Sequence, residues 1–356
     1  MKFRTLGVAG AGAFALALAI CWMGNALGQA QPPVQMSDAI KRLHEAAKKE
    51  GEITWSTSQS NLEFAEDVAK HFASLYPGVR VNVVRTTGQV QFQRLTQEIK
   101  SNTVSSDVYS TYEETHLVSL KTDKQILAFE PENAAGLLGD LKAIAQKGLW
   151  YPTSVAPVAI GINTKLVKPE DAPKTWTDLT DPKWKGQVAI GHPGFPGSAG
   201  VWVMAMEKLY GWQYFEKLAK NEPQIGRSIV DSVNLLLSGE RKVAMVPISL
   251  TLENEAKGNP VATVYPTDGT LILGGSTVIP AKAPHPNAGK LFLEYMVSKE
   301  HSVFLAQNGR VPLRADSPKP TLGKPLSEIK TFVLPLEHAL ANVNRIKEKF
   351  RDTFGI

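Results

Sequence analysis

Short apolar segments alternate with longer amphipathic ones along this 356-residue chain, and this alternation restricts the possible folds more than any other feature. Ile53-Thr54-Trp55, the alternating valines of Val79 to Val83, and Asp107-Val108-Tyr109 have the pattern of strands. Between them, the segment from Leu62 to Leu75 and the segment around Leu95 carry apolar residues at helical spacing. Strands that alternate with helices of this length predict right-handed βαβ units. The expected fold class is therefore α/β, with mainly parallel sheets flanked by helices.

The alternation restarts after a break, which predicts a second α/β unit. Thr153 to Asn163 is rich in Val, Ala and Pro and predicts a strand that crosses between the units. A second crossing is predicted near Val264 to Gly269. We therefore expect two lobes, with residues 37–152 as the first part of lobe 1, residues 153–264 as lobe 2, and residues 265–356 as a return to lobe 1.

The returning segment is expected to contain a pair of strands and several C-terminal helices. Its apolar run from Leu271 to Pro280 predicts the strand pair. Helices are predicted over Asn287 to Val297, His301 to Asn308 and Ser327 to Phe350.

The N-terminus has the three-part layout of a secretory signal peptide. Lys2 and Arg4 precede an almost uncharged apolar run from Leu6 to Met23, and small residues follow up to Ala30. An uncleaved membrane anchor is the alternative, but the run is only marginally long for a span of about 20 apolar residues. A lipid anchor on the cysteine at position 21 would require a smaller residue before it than isoleucine. We expect residues 1–30 to be a cleaved signal peptide and the mature protein to be periplasmic.

Cysteine content and net charge exclude several classes of protein. Cys21 is the only cysteine, so the chain after residue 30 has no disulfide, no thiol nucleophile and no cysteine metal site. The formal net charge of +5 falls to +3 when Lys2 and Arg4 leave, because residues 1–30 contain no acidic residue. This balance does not favour a nucleic-acid partner. No later apolar run has the length of a membrane span.

Residues 175–186 read Thr175-Trp176-Thr177-Asp178-Leu179-Thr180-Asp181-Pro182-Lys183-Trp184-Lys185-Gly186 and contain an Asp-Leu, an Asp-Pro-Lys and a Lys-Gly motif after a tryptophan. This segment resembles a signature of the ferric-ion and polyamine branch of the type II periplasmic solute-binding proteins of ABC transporters, and it is the most specific of several matches. The other segments are spread over the chain after the leader, and the likeness covers nearly the whole of it. They are Ala46 to Trp55, Leu237 to Glu240 with Val243-Ala244, Pro266 to Gly269, and Ala288 to Val297.

The resemblance implies a Venus-flytrap architecture in which two lobes close over a ligand in the cleft between them. It also implies that the closed form delivers a small molecule to an ABC-type permease, so that contact with the membrane occurs only through the permease. No catalytic activity and no cofactor are implied, and the protein is expected to act as a monomer.

Ligands of open α/β sheets lie beyond the carboxyl ends of the strands, and this rule selects candidate binding residues in lobe 1. Hydroxyls and free helix N–H groups suit a carboxylate or phosphate, and a guanidinium can bind such an anion bidentately. Each group also has an explanation without a ligand. The hydroxyls after the first strand can cap a helix, the arginine after the second strand can be an ordinary surface residue, and the tyrosine of the third strand can pack in the core. The candidates are Ser56, Thr57, Ser58, Arg85, Thr87, Gly88, Tyr109 and Ser110.

In lobe 2, a Gly-rich loop before a helix can present backbone N–H groups to an anion. These residues also have explanations without a ligand. The loop can be a flexible turn, and the arginine that could supply a counter-charge can instead form a surface ion pair. The aspartate at the second crossing can belong to an ordinary turn. The lobe 2 candidates are Gly197, Ser198, Ala199, Arg227, Ser228 and Ser249, and Asp268 is the candidate at the second crossing.

The ligand is expected to be a small organic or phosphorylated anion rather than iron. Ferric members of the branch use paired tyrosines near the start of the helix that corresponds to Ser249 to Lys257. Hard Fe³⁺ prefers oxyanion ligands such as phenolate and carboxylate. This chain has Ile248-Ser249-Leu250-Thr251-Leu252 at that place, without a tyrosine. A ferric-ion-binding protein is the alternative function.

A secreted hydrolase is an alternative of another class. The chain has neither a Gly-x-Ser-x-Gly elbow nor a His-Glu-x-x-His zinc motif.

Overall fold

The computed structural model describes residues 36–193, 198–227 and 229–356. The expected signal peptide and the candidate residues Gly197 and Ser228 therefore lie outside the described residues. Within this described part of the chain, no helix combines the length and the apolar character that a bilayer span requires.

Three parallel strands and the helices between them form the first part of the fold, in the order that the sequence predicts. β1 is the middle strand, paired in parallel with β2 from Glu52↔Arg80 to Thr57↔Arg85 and with β3 from Trp55↔Val108. The elements are α1 (Asp38–Glu50), β1 (Glu52–Thr57), α2 (Leu62–Leu75), β2 (Arg80–Arg85), α3 (Gly88–Ser101), β3 (Val108–Thr111) and α4 (Glu114–Thr122).

The first helix shows how the sequence sets these boundaries. The Ser37 side chain accepts a hydrogen bond from the Ile40 N–H, which satisfies one of the free donors at the start of α1. Gly51 ends the helix at a φ of 77°, a left-handed conformation that glycine adopts without a steric penalty.

The middle of the chain forms a second set of strands and helices. β5 pairs in parallel with β6 and β7, and β4 runs antiparallel to β7 and β8. The elements are α5 (Gly139–Lys142), β4 (Tyr151–Asn163), β5 (Val188–Gly191), α6 (Ser198–Tyr210), α7 (Gln213–Lys220), β6 (Gln224–Gly226), α8 (Ile229–Ser238), β7 (Val243–Pro247), α9 (Ile248–Ala256) and β8 (Val261–Val264).

One long strand replaces the predicted strand pair in the last part of the chain, so that prediction is wrong. This strand, β9, begins directly after the predicted second crossing and pairs antiparallel with both β3 and β4. The elements are β9 (Thr270–Val278), α10 (Pro286–Met296), α11 (Lys299–Gln307), β10 (Thr331–Val333) and α12 (Leu336–Phe354).

The β4–β9 ladder joins the two sets of strands into one sheet of order β2-β1-β3-β9-β4-β7-β5-β6. It runs from Tyr151↔Thr277 to Val158↔Leu271, with an irregularity after Pro152. The predicted crossing at Thr153 to Asn163 is therefore present as β4. The second crossing is the strand β9 itself, with Val264 to Gly269 as the segment that leads into it.

The C-terminal helix α12 packs mainly on α6 and α7. The Phe350 ring centroid lies 6.1 Å from that of Phe215, and Arg345 forms a 2.6 Å ion pair with Glu207. Leu336, at the start of α12, packs against the apolar cluster that contains Leu95 of the first part. The expected return of the whole segment 265–356 to lobe 1 therefore does not hold for most of α12. The long helix predicted from Ser327 is also interrupted, because Thr331–Val333 pairs with β9 as β10.

A buried carboxylate fastens β1 and β3 to the start of α10. Asp107 is fully buried and accepts hydrogen bonds from the Thr54 N–H at 2.7 Å and the His285 N–H at 2.6 Å. The His285 ring nitrogen Nδ1 lies 3.0 Å from the same carboxylate. One side chain therefore satisfies donors from two distant parts of the chain.

Candidate functional site

A cavity of about 210 Å³, the main cavity, lies where the carboxyl ends of several strands meet. Its wall includes Gln59 and Ser60 after β1, Tyr112 after β3, and Ser249 at the start of α9 after β7. This is the location that the strand-end rule predicts for a ligand in an α/β sheet.

The side chain of Gln59 fixes the loop after β1 against the central strands. Its Nε2 donates to the carbonyl oxygens of Thr111 and Ser276, both at 3.1 Å. Its Oε1 accepts from the Thr153 hydroxyl at 3.2 Å. Because these partners belong to β3, β9 and β4, one amide links the cavity wall to all three strands.

Tyr112 forms the next part of the same polar wall. Its hydroxyl donates to the Gln59 carbonyl at 3.4 Å and accepts from the Ser154 hydroxyl at 3.1 Å. Burial raises the pKa of Tyr112, so its hydroxyl stays protonated and acts as a hydrogen-bonding group.

Two cationic side chains line the main cavity, and no carboxylate does among the described residues of its wall. The Arg310 guanidinium carbon lies 4.8 Å from the Phe64 ring centroid, and its Nη1 lies 3.4 Å from a Glu253 carboxylate oxygen outside the wall. Lys324 is exposed, and its Nζ lies 5.3 Å from the Tyr265 ring centroid. This excess of positive charge suits an anion.

His301 contributes a neutral ring to the wall. It is 1% exposed, and its Nδ1 lies 3.2 Å from the Tyr295 hydroxyl, which lies 2.8 Å from Nδ1 of His71. Burial lowers the pKa of His301 to about 3, and burial also lowers the pKa of His71. Both imidazoles are therefore uncharged near neutral pH.

A second cavity of about 270 Å³ has a more acidic wall and shares Tyr112 with the main cavity. Glu113, Glu114 and Lys347 line it. Burial raises the pKa of the Glu114 carboxyl to about 7. Because two carboxyl groups face this space, it is less suited to an anion than the main cavity.

The hydroxyl candidates in β1 are held inside the sheet. The Ser56 hydroxyl is buried 2.7 Å from that of Ser106, and the fully buried Thr57 hydroxyl accepts from the Gln59 N–H at 3.2 Å. The Ser58 hydroxyl oxygen is buried and has no hydrogen-bond partner among the described residues. None of these three residues lines the main cavity, although Trp55 before them and Gln59 after them do.

Tyr109 and Ser110 are core residues, so their selection as cleft residues is corrected by the structure. Tyr109 is fully buried, with its hydroxyl 3.0 Å from Nδ1 of His116. The Ser110 hydroxyl is also fully buried and accepts from the Trp55 indole N–H at 2.8 Å. The reason is that β3 is a central strand whose two faces are both covered.

The candidates after β2 lie at a sheet edge. Arg85 is exposed, and its Nε donates at 2.9 Å to the carbonyl of Ser60, a residue of the cavity wall. Thr87 is the exposed N-cap of α3, without a side-chain capping bond. Gly88 is buried, and an added Cβ would collide with the Glu113 carboxylate.

Of the lobe 2 candidates, only Ser249 lines the main cavity among those whose side chains are described. Ala199 is buried in the core, and Arg227 is exposed. The side chain of Ser198 lies outside the described atoms, as do Gly197 and Ser228 entirely.

Asp268 lines neither cavity. One of its carboxylate oxygens accepts from the Trp176 N–H at 2.9 Å and from the Tyr210 hydroxyl. The Trp176 indole donates to the adjacent Gly269 carbonyl at 2.8 Å. Asp268 therefore anchors the segment that leads into β9.

Four residues of the cavity wall are not among the candidates predicted from the sequence: Gln59, Tyr112, Arg310 and Lys324. Gln59 and Tyr112 lie only one or two residues beyond the candidates chosen after β1 and β3, so the strand-end rule could have found them. Arg310 and Lys324 belong to the irregular segment between α11 and β10, where no strand-end pattern marks them.

Gly275 on β9 lies against Gln59, Tyr112 and Ser154, the polar part of the cavity wall, and leaves no room for a larger residue. An added Cβ would collide with the Ser154 hydroxyl and lie 2.7 Å from a Tyr112 ring carbon and 2.8 Å from the Gln59 amide nitrogen. We expect Gly275→Ala to lower the free energy of unfolding by about 1–3 kcal/mol, because overpacking displaces these groups.

Urea denaturation measures this loss. Gly139→Ala is the matched control, since nothing lies within 4 Å of its added Cβ. Equal stability of the two variants would show that the wall does not depend on the space at Gly275.

A model of a family described as bacterial extracellular solute-binding protein matches residues 106–335. Among curated proteins, iron uptake protein A1 of Synechocystis sp. is 25% identical over 252 residues, which are 65% of this chain and 67% of that protein. A putative 2-aminoethylphosphonate-binding periplasmic protein of Salmonella paratyphi A is 25% identical over 251 residues, 67% of this chain and 71% of that protein. A Haemophilus influenzae protein is 28% identical, but over 40% of this chain and only 43% of its own length.

Two solved structures have the same fold. The periplasmic binding protein AfuA from Actinobacillus pleuropneumoniae, with exogenous fructose-6-phosphate bound, aligns with a TM-score of 0.72 and 22% identity over 86% of this chain and 99% of its own. Iron-bound HitA from Pseudomonas aeruginosa aligns with a TM-score of 0.69 and 20% identity over 84% of this chain and 99% of its own. These alignments confirm the predicted two-lobed α/β fold.

Proposed function

Since the chain belongs to the bacterial extracellular solute-binding protein family, we propose that it captures a small organic or phosphorylated anion between two lobes and delivers it to an ABC-type permease. The observation that supports an anionic ligand is the lining of the main cavity. Arg310 and Lys324 belong to it, and no carboxylate does among the described wall residues. We further propose that the protein acts as a periplasmic monomer and performs no catalysis.

Closure of the lobes is part of this proposal. The cavity wall combines Ser249 and Leu252 of α9 with Arg310 after α11, so a ligand there contacts both parts of the molecule. A ligand favours closure only by binding the closed form more tightly than the open form. Small-angle scattering should therefore show a smaller radius of gyration once a binding anion is added.

Ferric iron is the second candidate, since the Synechocystis relative is named an iron uptake protein and HitA was solved with iron. No group of three or more His, Cys, Asp or Glu side chains in the described residues could hold a metal ion. Tyrosines lie outside that set of residue types, so iron is tested directly together with the anions.

The test is calorimetry with a panel of carboxylates, phosphonates and sugar phosphates, and with ferric citrate as the comparison. Arg85 and Arg227 are the proposed additional counter-charges. A charged hydrogen bond contributes about 1.5–3 kcal/mol, so replacing a contacting arginine by alanine should weaken binding roughly ten- to a hundredfold.

Arg351→Ala is the matched control, because Arg351 is exposed on α12 beside Asp352. If Arg85→Ala and Arg227→Ala behave like this control, those two arginines do not contact the ligand. Tight binding of iron with no response to any anion would disprove the anion proposal itself.

A further inference from the structure

The main cavity also restricts which anion it can hold. Resting on the proposed function, we propose that the ligand is an amphiphilic anion, with one acid group that pairs with Arg310 and Lys324 and an apolar body, aryl or branched alkyl, buried in the cavity. The same wall disfavours a sugar phosphate or another polyol anion.

Apolar side chains make up more than half of the residues in the wall. Many come from α2, β4, α9, α11 and the irregular segment before β10, and they include Val68, Leu252, Leu305, Leu322, Leu326 and Ile329. Burying apolar ligand surface against them is favourable by about 25 cal/mol per Å². Burying hydroxyl groups there without partners is costly.

The polar groups of the wall are largely occupied by one another. Both ends of the Gln59 amide are bonded to protein atoms, and the Ser154 hydroxyl donates to the Tyr112 hydroxyl. The Thr153 hydroxyl lies 2.6 Å from that of Thr277. Few donors and acceptors are therefore left for the several hydroxyls of a sugar, each of which would lose its hydrogen bonds to water.

The available charge is concentrated in two side chains. The Arg310 guanidinium rests against the Phe64 ring, and its nearest carboxylate, that of Glu253, lies 3.4 Å away outside the wall. Lys324 is exposed and stands over Tyr265. The volume of about 210 Å³ is below the usual range of about 300–1,000 Å³ for ligand pockets, which favours a body no larger than one ring.

Calorimetry with a matched series tests this inference. Methylphosphonate, phenylphosphonate and glucose 6-phosphate carry similar acid groups on a minimal, an apolar and a polyol body. We expect phenylphosphonate to bind about ten- to a hundredfold more tightly than methylphosphonate, because the ring buries apolar surface. Glucose 6-phosphate should bind more weakly than phenylphosphonate.

Variants test which wall residues contact the acid group and which contact the apolar body. Arg310→Gln and Lys324→Gln should each weaken the binding of phenylphosphonate about tenfold or more, whereas the exposed controls Arg351→Gln and Lys217→Gln should not. Leu252→Asn should weaken phenylphosphonate about tenfold but leave methylphosphonate unchanged. Leu340→Asn on α12 is its control, and the binding stoichiometry reports the folded fraction of each variant.

The other outcomes separate this inference from the proposed function. If glucose 6-phosphate binds more tightly than phenylphosphonate, the apolar body is wrong but the anion-binding function stands. If phenylphosphonate binds and neither Arg310→Gln nor Lys324→Gln weakens it, the assignment to the main cavity is wrong. If no anion of the wider panel binds, both proposals fail.

Discussion

Asp107→Ala is expected to lower the free energy of unfolding by about 3–5 kcal/mol. The carboxylate is fully buried and accepts from the Thr54 and His285 N–H groups at 2.7 and 2.6 Å. Alanine leaves both partly buried donors without this partner, at a cost of about 1–3 kcal/mol each. It also removes the partner of the His285 ring. The loss should appear as a lower urea midpoint.

Asp123→Ala is the matched control, because Asp123 is an exposed residue at the end of α4. It should change the free energy of unfolding by less than about 0.5 kcal/mol. Should Asp107→Ala prove as stable as Asp123→Ala, the buried carboxylate would not be what fastens α10 to the first strands.

The protein is expected to lose about 3 kcal/mol of unfolding free energy between pH 7 and pH 4.5 through His301. Burial lowers the pKa of this ring from 6.5 to about 3 in the folded protein. Below pH 6.5 the unfolded chain therefore binds a proton that the folded chain does not. The stability is fully present above pH 6.5 and declines as the pH falls toward 3. Burial lowers the pKa of His71 too, which acts in the same direction.

Urea denaturation at several pH values, with and without His301→Phe, measures this effect. The phenyl ring keeps the packing beside Tyr295 and cannot be protonated, so the variant should lose less stability in acid than the natural protein. His338→Gln is the comparison on α12 and should retain most of the acid loss. Parallel pH curves for the natural protein and His301→Phe would show that His301 is not responsible.

The alternation of strands and helices predicted the α/β class, β1 to β3, and the crossing strand β4. These elements were predictable because the apolar residues that each one buries form a simple local pattern in the sequence. Site residues were harder to predict for a geometric reason. Both faces of the central strand β3 are covered by other elements, so Tyr109 and Ser110 are core residues, while Tyr112, just beyond Thr111, reaches the cavity.

The remaining differences come from tertiary contacts that no local pattern contains. Arg310 and Lys324 reach the cavity from an irregular segment, and their location depends on how that segment packs against α9. The helical pattern within Ser327 to Phe350 predicts a helix but not its partners, and the observed helix α12 packs mainly on α6 and α7.

The position of β9 between β3 and β4 has a consequence for the time course of folding. Tyr109 of β3 pairs with Val278, and Tyr151 of β4 pairs with Thr277. Neither strand can therefore form these pairs until residues much later in the chain have been synthesised. Contacts of such long sequence separation make folding slow, and until they form the edges of β3 and β4 can pair with other chains. A nascent chain that has not yet reached Thr270 therefore lacks the strand that joins β3 to β4 and cannot complete its sheet.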